Sequence, residues 1–167
     1  MMTLRCTKKL LKRMDMTPND VAVALPSTTA LGDWYANLLF TRPEQIVLCV
    51  NGKSRLCVLV PAKNANSIAE RIQVGIVDIL REIGISEDQI NREKSQMYPL
   101  SYGATTGTPV TRSVIGTMTD YTKHLEYYLG LEEMTLDEIA KILSDIVCGP
   151  LNYATPINVA KELLAVD

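Results

Sequence analysis

Hydrophobic and polar positions along the chain alternate between two kinds of pattern, and the sharpest lies at 46–60. IVLCV and LCVLV are five-residue runs rich in β-branched residues, with Asn51-Gly52 between them. Asn-Gly tolerates the positive φ values of a tight hairpin turn, so the segment predicts a β-hairpin with a two-residue turn. That turn pairs Cys49 with Ser54 and Ile46 with Cys57. Both runs are apolar at every position, so both faces need cover, which predicts a hairpin at the centre of the sheet.

Helical patterns flank it. Ser67-Ile68-Ala69-Glu70 has the spacing of a capping box, and Ile68, Ile72, Ile76, Ile79 and Ile83 then recur along one face up to Gly84. Ser86 to Gln89 opens another short helix in the same way. Thr135 to Glu138 opens one carrying Ile139, Ile142, Leu143 and Ile146, stopped by Cys148-Gly149-Pro150. Thr155-Pro156 supplies an N-cap and an N1 proline for a last helix to Leu164. Leu31, Trp34, Tyr35, Leu38 and Leu39 fall at helical spacing and predict a helix ended by Arg42-Pro43. Thr3 to Cys6 and Gln96 to Tyr102 read as strands. The region from Val21 to Leu25 is a short apolar stretch between breakers. The whole predicts one α+β domain over 1–167, a small sheet around a central hairpin (46–60) covered by several helices.

Composition sharpens this. Hydrophobic residues are 47 % of the chain and charged residues 22 %, the balance of a globular domain rather than a disordered one. No apolar run reaches the roughly 20 residues that cross a bilayer, and the basic start lacks an apolar signal-peptide core, so a soluble cytoplasmic protein is expected. Cys6, Cys49, Cys57 and Cys148 have no CxxC spacing and His124 is the sole histidine, which argues against a zinc site. No metal or other cofactor is expected. The hairpin register puts Cys49 and Cys57 on opposite faces, and free buried thiols are expected.

The net charge of −2 conceals an asymmetry: residues 1–60 carry eight Lys/Arg against four Asp/Glu. Lys8, Lys9, Lys12 and Arg13 occupy one face of a short helix whose Leu10, Leu11 and Met14 occupy another. Such a face suits phosphates or an acidic protein partner, and equally a solvated surface. The acidic total speaks against a dedicated duplex-DNA binder.

The segment from Ser101 to Gly130 concentrates the remaining candidate chemistry. It is rich in hydroxyls, including Thr105, Thr106 and Thr108, and Arg112 is the sole cation in residues 95–122. The stripe Val114, Ile115, Met118, Tyr121, Leu125 places a helix start near Thr111 or Arg112. Free N–H groups and the positive dipole end there, beside Arg112 and the hydroxyls of Thr111, Ser113 and Thr117, suit a phosphate. The pattern is neither a Walker A nor GxGxxG, and threonines bonding their own backbone would explain it too. Within the stripe at 31–39, Trp34 and Tyr35 suit stacking on a base, and Asp33 and Asn37 share a face. Core packing for Trp34 and helix capping for Asp33 account for the same residues. Asp120 precedes His124 by one helical turn.

Five blocks carry a resemblance: LRCTKKLLKRM (4–14), STTALGDWYANLLF (27–40), IVLCVNGKSRLCVLVPA (46–62), TRSVIGTMTDY (111–121) and CGPLNYATP (148–156). In this order the chain resembles the bacterial and phage family of domain of unknown function 6933, nearly end to end. The likeness implies a single-domain fold and directs attention to Asp33, Trp34, Tyr35, Asn37, Arg112, Gly116 and Asp120, but brings no mechanism. The chain departs from the family pattern at 103–111, where its threonine-rich stretch is longer, and at Thr119, where asparagine is expected.

Three functions fit these residues. The first is a non-enzymatic binding module for a phosphate-bearing ligand, a nucleotide or a nucleic-acid strand, using Arg112 and its neighbours. The second is a protein-interaction module, such as an accessory, antitoxin-like or phage counter-defence component, meeting an acidic partner through the basic helix. The third is a hydrolase or nuclease with Asp33, Asp120 and Arg112 around a metal or water, although no DxD-type carboxylate cluster is present. No membrane partner is expected.

Overall fold

Five strands build one mixed sheet: β1 (Met2–Cys6), β2 (Trp34–Leu39), β3 (Ile46–Asn51), β4 (Cys57–Pro61) and β5 (Leu100–Ala104), in the order β4-β3-β2-β1-β5. β1 runs parallel to β2 and β5, whereas β2, β3 and β4 are successively antiparallel. Among the described residues six helices accompany them: α1 (Lys8–Arg13), α2 (Ile68–Glu82), α3 (Glu87–Gln96), α4 (Pro109–Leu129), α5 (Leu136–Leu143) and α6 (Pro156–Ala165). The structure, a computed structural model, describes all residues but 22–24, 106, 132 and 166–167. Thr106 of the hydroxyl-rich segment and the middle of the 21–25 stretch lie outside the described residues.

The domain is α+β, with a hydrophobic core on each face of the sheet. On one face α1, α2, α3 and α6 bring Leu10, Ile72, Ile76, Ile90 and Leu164 against Leu4, Trp34, Cys49 and Val58. On the other, α4 and α5 bring Val114, Met118, Tyr121, Ile139 and Leu143 against Tyr35, Leu48, Val50 and Leu59. Ile68, Ile72, Ile76 and Ile79 of α2 are all buried, as their spacing predicts. Each such side chain contributes about 1.5–3 kcal/mol by leaving water.

The hairpin is covered on both faces, but it occupies one side of the sheet, and β2 is the middle strand. Its turn is also longer than two residues: Cys49 pairs with Val58 and Val50 with Cys57. Asn51 is the cause. Its Oδ1 accepts from the N–H groups of Lys53 (3.2 Å) and Ser54 (2.8 Å), which opens the turn into a wider loop with Arg55 at φ 63°. The partner of Cys49 moves by four residues, an even number, so Cys49 and Cys57 still face opposite cores. All four cysteines are buried and free.

The 31–39 segment is the largest departure. It is a strand, not a helix. Every residue of β2 except Asn37 is buried, so cover on both faces makes nearly all positions apolar and i, i+3, i+4 matches arise by coincidence. The strand expected at 96–102 lies at 100–104, because α3 runs through Gln96 and Pro99 has no N–H to donate.

Local capping is read correctly at Ser86, where a full capping box with Gln89 forms, and at Thr135, whose hydroxyl accepts from the Glu138 N–H. At Ser67 it is not. A 3₁₀ turn at Ala65–Ser67 leads into α2, and the Ser67 hydroxyl donates back to the Asn64 carbonyl instead. The exposed edge of β4 is closed by other means. Ser144 Oγ accepts from the Cys57 N–H at 3.0 Å, Pro61 has no N–H, and Arg71 donates to the Pro61 carbonyl. Among the described residues no helix is long and apolar enough to cross a membrane.

Candidate functional site

α4 begins at Pro109, two residues before the expected start. Thr108 is its N-cap, accepting from the Thr111 N–H at 3.2 Å, and the Arg112 N–H donates to the Thr108 carbonyl at 2.9 Å. The backbone donors at 111 and 112 are therefore occupied by the protein itself. Thr111 is buried, with its hydroxyl beside those of Thr108 and Tyr35 (3.1 and 3.4 Å). Its role is to seat the start of the helix on the sheet.

Further along, α4 divides its surface. Val114, Met118, Tyr121 and Leu125 pack on the sheet. Ser113, Gly116, Thr117, Asp120, Lys123 and His124 line a groove of about 800 Å³ closed by the turn from Ile146 to Pro150. Four of the residues singled out by sequence, Ser113, Gly116, Thr117 and Asp120, thus meet in one groove. Arg112 is exposed and its guanidinium makes no hydrogen bond or ion pair among the described residues; it lies one helical turn before Gly116, next to Ser113 of the groove wall. A Cβ on Gly116 would meet nothing within 4 Å, so the missing side chain leaves open space rather than relieving a clash.

The opposite wall is a constrained turn. Cys148 bridges to Ala154, and Asn152 and Tyr153 both take left-handed φ values, 53° and 63°. Two successive non-glycine residues in this region cost about 1–3 kcal/mol each and are seen most often where function requires them. Tyr153, whose N–H donates to the Cys148 carbonyl at 2.9 Å, is 76 % exposed.

Behind the groove lies a residue that sequence reasoning missed. Arg55, in the hairpin loop, is only 6 % exposed. Its guanidinium donates to Ser113 Oγ at 2.9 Å and to the Gly52 carbonyl, and its Nε has no partner. The Tyr121 hydroxyl donates to the Arg55 carbonyl at 2.9 Å and touches Cys148 Sγ at 3.8 Å. No carboxylate pairs with this cation among the described residues. Burial pulls the Arg55 guanidinium below its ordinary value, and pushes the Tyr121 hydroxyl and the Cys148 thiol up. The raised thiol makes Cys148 a poor nucleophile at neutral pH. The available signal was a cation directly before an unbroken buried strand.

The other candidates lie elsewhere. Trp34 is 1 % exposed in one core and Tyr35 lies in the other, because adjacent residues of a strand point to opposite faces. They form no common stacking platform. Asp33 caps no helix. It accepts from Arg5 Nε at 2.7 Å and from the Ser27 backbone N–H and hydroxyl at 3.0 and 2.7 Å. Burial alone raises its carboxyl, but these donors outweigh it and hold the group below its ordinary value. Asn37 accepts from the Thr7 hydroxyl at 2.8 Å, and four residues of extended chain rather than one helical turn separate it from Asp33. Asp33 and Asp120 line different clefts. Among the described residues no three His, Cys, Asp or Glu side chains are placed to hold a metal ion. Lys8, Lys9, Lys12 and Arg13 are exposed on α1, on the far side of the sheet from α4.

Residues 3–159 match the family described as Domain of unknown function (DUF6933). The chain belongs to this family. The DUF6933 match takes in β2 to β5, β1 from Thr3, both walls of the α4 groove and both cores apart from Met2, Ala160 and Leu164. No curated protein and no solved structure matches the chain.

Proposed function

We propose that the α4 groove binds a small phosphate-bearing ligand, with a nucleotide as the best fit. The observation that carries this is Arg55, a buried guanidinium with no acidic partner among the described residues that holds the Ser113 hydroxyl at the groove wall. An uncompensated cation away from water favours an anion nearby, and it acts more strongly there than at the surface. Arg112, exposed and next to Ser113 in the chain, supplies a planar fork for phosphate oxygens. Asp120 repels a bare anion but accepts hydrogen bonds from sugar hydroxyls or an amino group, which favours a nucleotide over inorganic phosphate. Tyr153, strained and exposed beside the Cys148 wall, offers a ring for a base. Four unpaired thiols accord with the reducing cytoplasm as the place of action.

Isothermal calorimetry with nucleoside mono- and triphosphates and with inorganic phosphate tests the reading. Saturable nucleotide binding, weakened about 10- to 150-fold in Arg112→Ala, supports it. No binding by any nucleotide, or binding indifferent to Arg112→Ala and Ser113→Ala, rejects it.

A further inference from the structure

On the opposite side of the sheet, three segments distant in sequence converge at one end of the molecule. Arg13 donates to the Ala62 carbonyl at 3.0 Å, bringing α1 beside Lys63. Lys9 Nζ lies 5.4 Å from the centre of the Phe40 ring, bringing α1 beside the end of β2. Arg71 donates to the carbonyls of Pro61, Lys63 and Asn64, fixing the connection that carries Lys63.

The stretches 7–14, 37–43 and 61–69 hold Lys8, Lys9, Lys12, Arg13, Arg42 and Lys63 and not one Asp or Glu; Asp15, Glu44 and Glu70 lie just outside them. All six cations are exposed. None is ion-paired among the described residues. In their midst Phe40 is 66 % exposed, in a chain with no other phenylalanine.

From this face we infer a docking surface for a single-stranded nucleic acid. Unpaired cations without acids are the footprint of a polyanion, because each phosphate neutralised releases condensed counterions. An acidic protein or a lipid headgroup layer would use the same charges, but neither needs an exposed ring framed by them. An unstacked base does, since every base presents a flat face to an aromatic side chain. A duplex hides those faces, and the net charge of −2 would repel its denser phosphates at the rest of the surface. Phosphates therefore run along Lys8, Lys12, Arg13 and Lys63, with a base on the Phe40 ring beside Lys9. This inference is independent of the α4 groove.

Fluorescence anisotropy with labelled oligo-dT and oligo-rU of about 15 nucleotides tests it. Salt-dependent, saturable binding to single strands is expected, with the duplex of equal length much weaker. Lys12→Gln and Lys63→Gln should each reduce the slope of log K against log salt by about 0.7. Phe40→Ala should weaken binding about 5- to 150-fold without changing that slope. Arg112→Ala should leave strand binding unchanged, which separates this face from the groove. The inference is overturned by absence of binding at low salt, or by duplex binding as tight as single-strand binding. It is overturned equally if polyglutamate or phosphatidylglycerol vesicles bind as well as the strand and Phe40→Ala has no effect.

Discussion

Arg5 and Asp33 lock the end of β1 to the start of β2, with 2.7 Å between Nε and Oδ2 and both side chains about four-fifths buried. Asp33 also takes two bonds from Ser27, so one carboxylate joins β1, β2 and the segment that leads into β2. The folded state holds this group below its ordinary value of 3.8. Its contribution is therefore complete above that value and is lost as pH falls through the depressed folded value. Asp33→Asn should cost about 1–2 kcal/mol at neutral pH. The gap from wild type should close as denaturant melts are repeated below about pH 3.8. A gap that persists undiminished in acid would show that the charge is irrelevant.

Ser144 makes a comparable point at the open edge of the sheet. It is fully buried, and its hydroxyl is the partner of the Cys57 N–H at 3.0 Å. Ser144→Ala removes that acceptor and leaves a buried donor unmade, at a cost of about 1–3 kcal/mol. Ser144→Thr should lose less, since it retains the oxygen. Chemical denaturation of the two variants distinguishes them. Equal losses would indicate a packing role for the residue instead.

These two contacts show why some of the structure was legible in sequence and some was not. The isoleucine face of α2, the capping box at Ser86 and the two-faced burial of the hairpin depend on residues close together in the chain. The strand β2 depends on cover supplied from elsewhere, and its helix-like stripe is a by-product of burial on both faces. Asn51-Gly52 announced a turn but not its length, because the Asn51 side chain, which local pattern ignores, decides it. At the groove, helical spacing gathered Ser113, Thr117 and Asp120, while the contact from Arg55 to Ser113 spans 58 positions and left no local trace. The family likeness drew attention to Trp34, whose burial is enough to explain it.

The thiols offer a direct check on both cores. Burial pushes Cys6 up to about 12 and raises Cys49, Cys57 and Cys148 as well. Thiolate is the reactive form, so the native protein should react slowly with a disulfide reagent at neutral pH. In denaturant without reductant, four thiols should titrate rapidly. Two or none would establish a disulfide and revise the packing of Cys49 and Cys57 on opposite faces.

Gly116 separates stability from binding more cleanly than any charged residue of the groove. Glycine within a helix costs about 0.8–1.0 kcal/mol relative to alanine, and nothing obstructs a side chain at this position. Gly116→Ala should therefore raise Tm by about 2–4 °C in a domain of this size. Gly116→Leu should also fold at least as stably as the wild type, while its side chain fills the space between α4 and the 146–150 turn. If the groove holds a nucleotide, Gly116→Leu abolishes binding and Gly116→Ala weakens it, in proteins that melt no lower than the parent. Retention of full affinity in the stable Gly116→Leu variant would place the ligand outside the groove, whatever Arg112→Ala does.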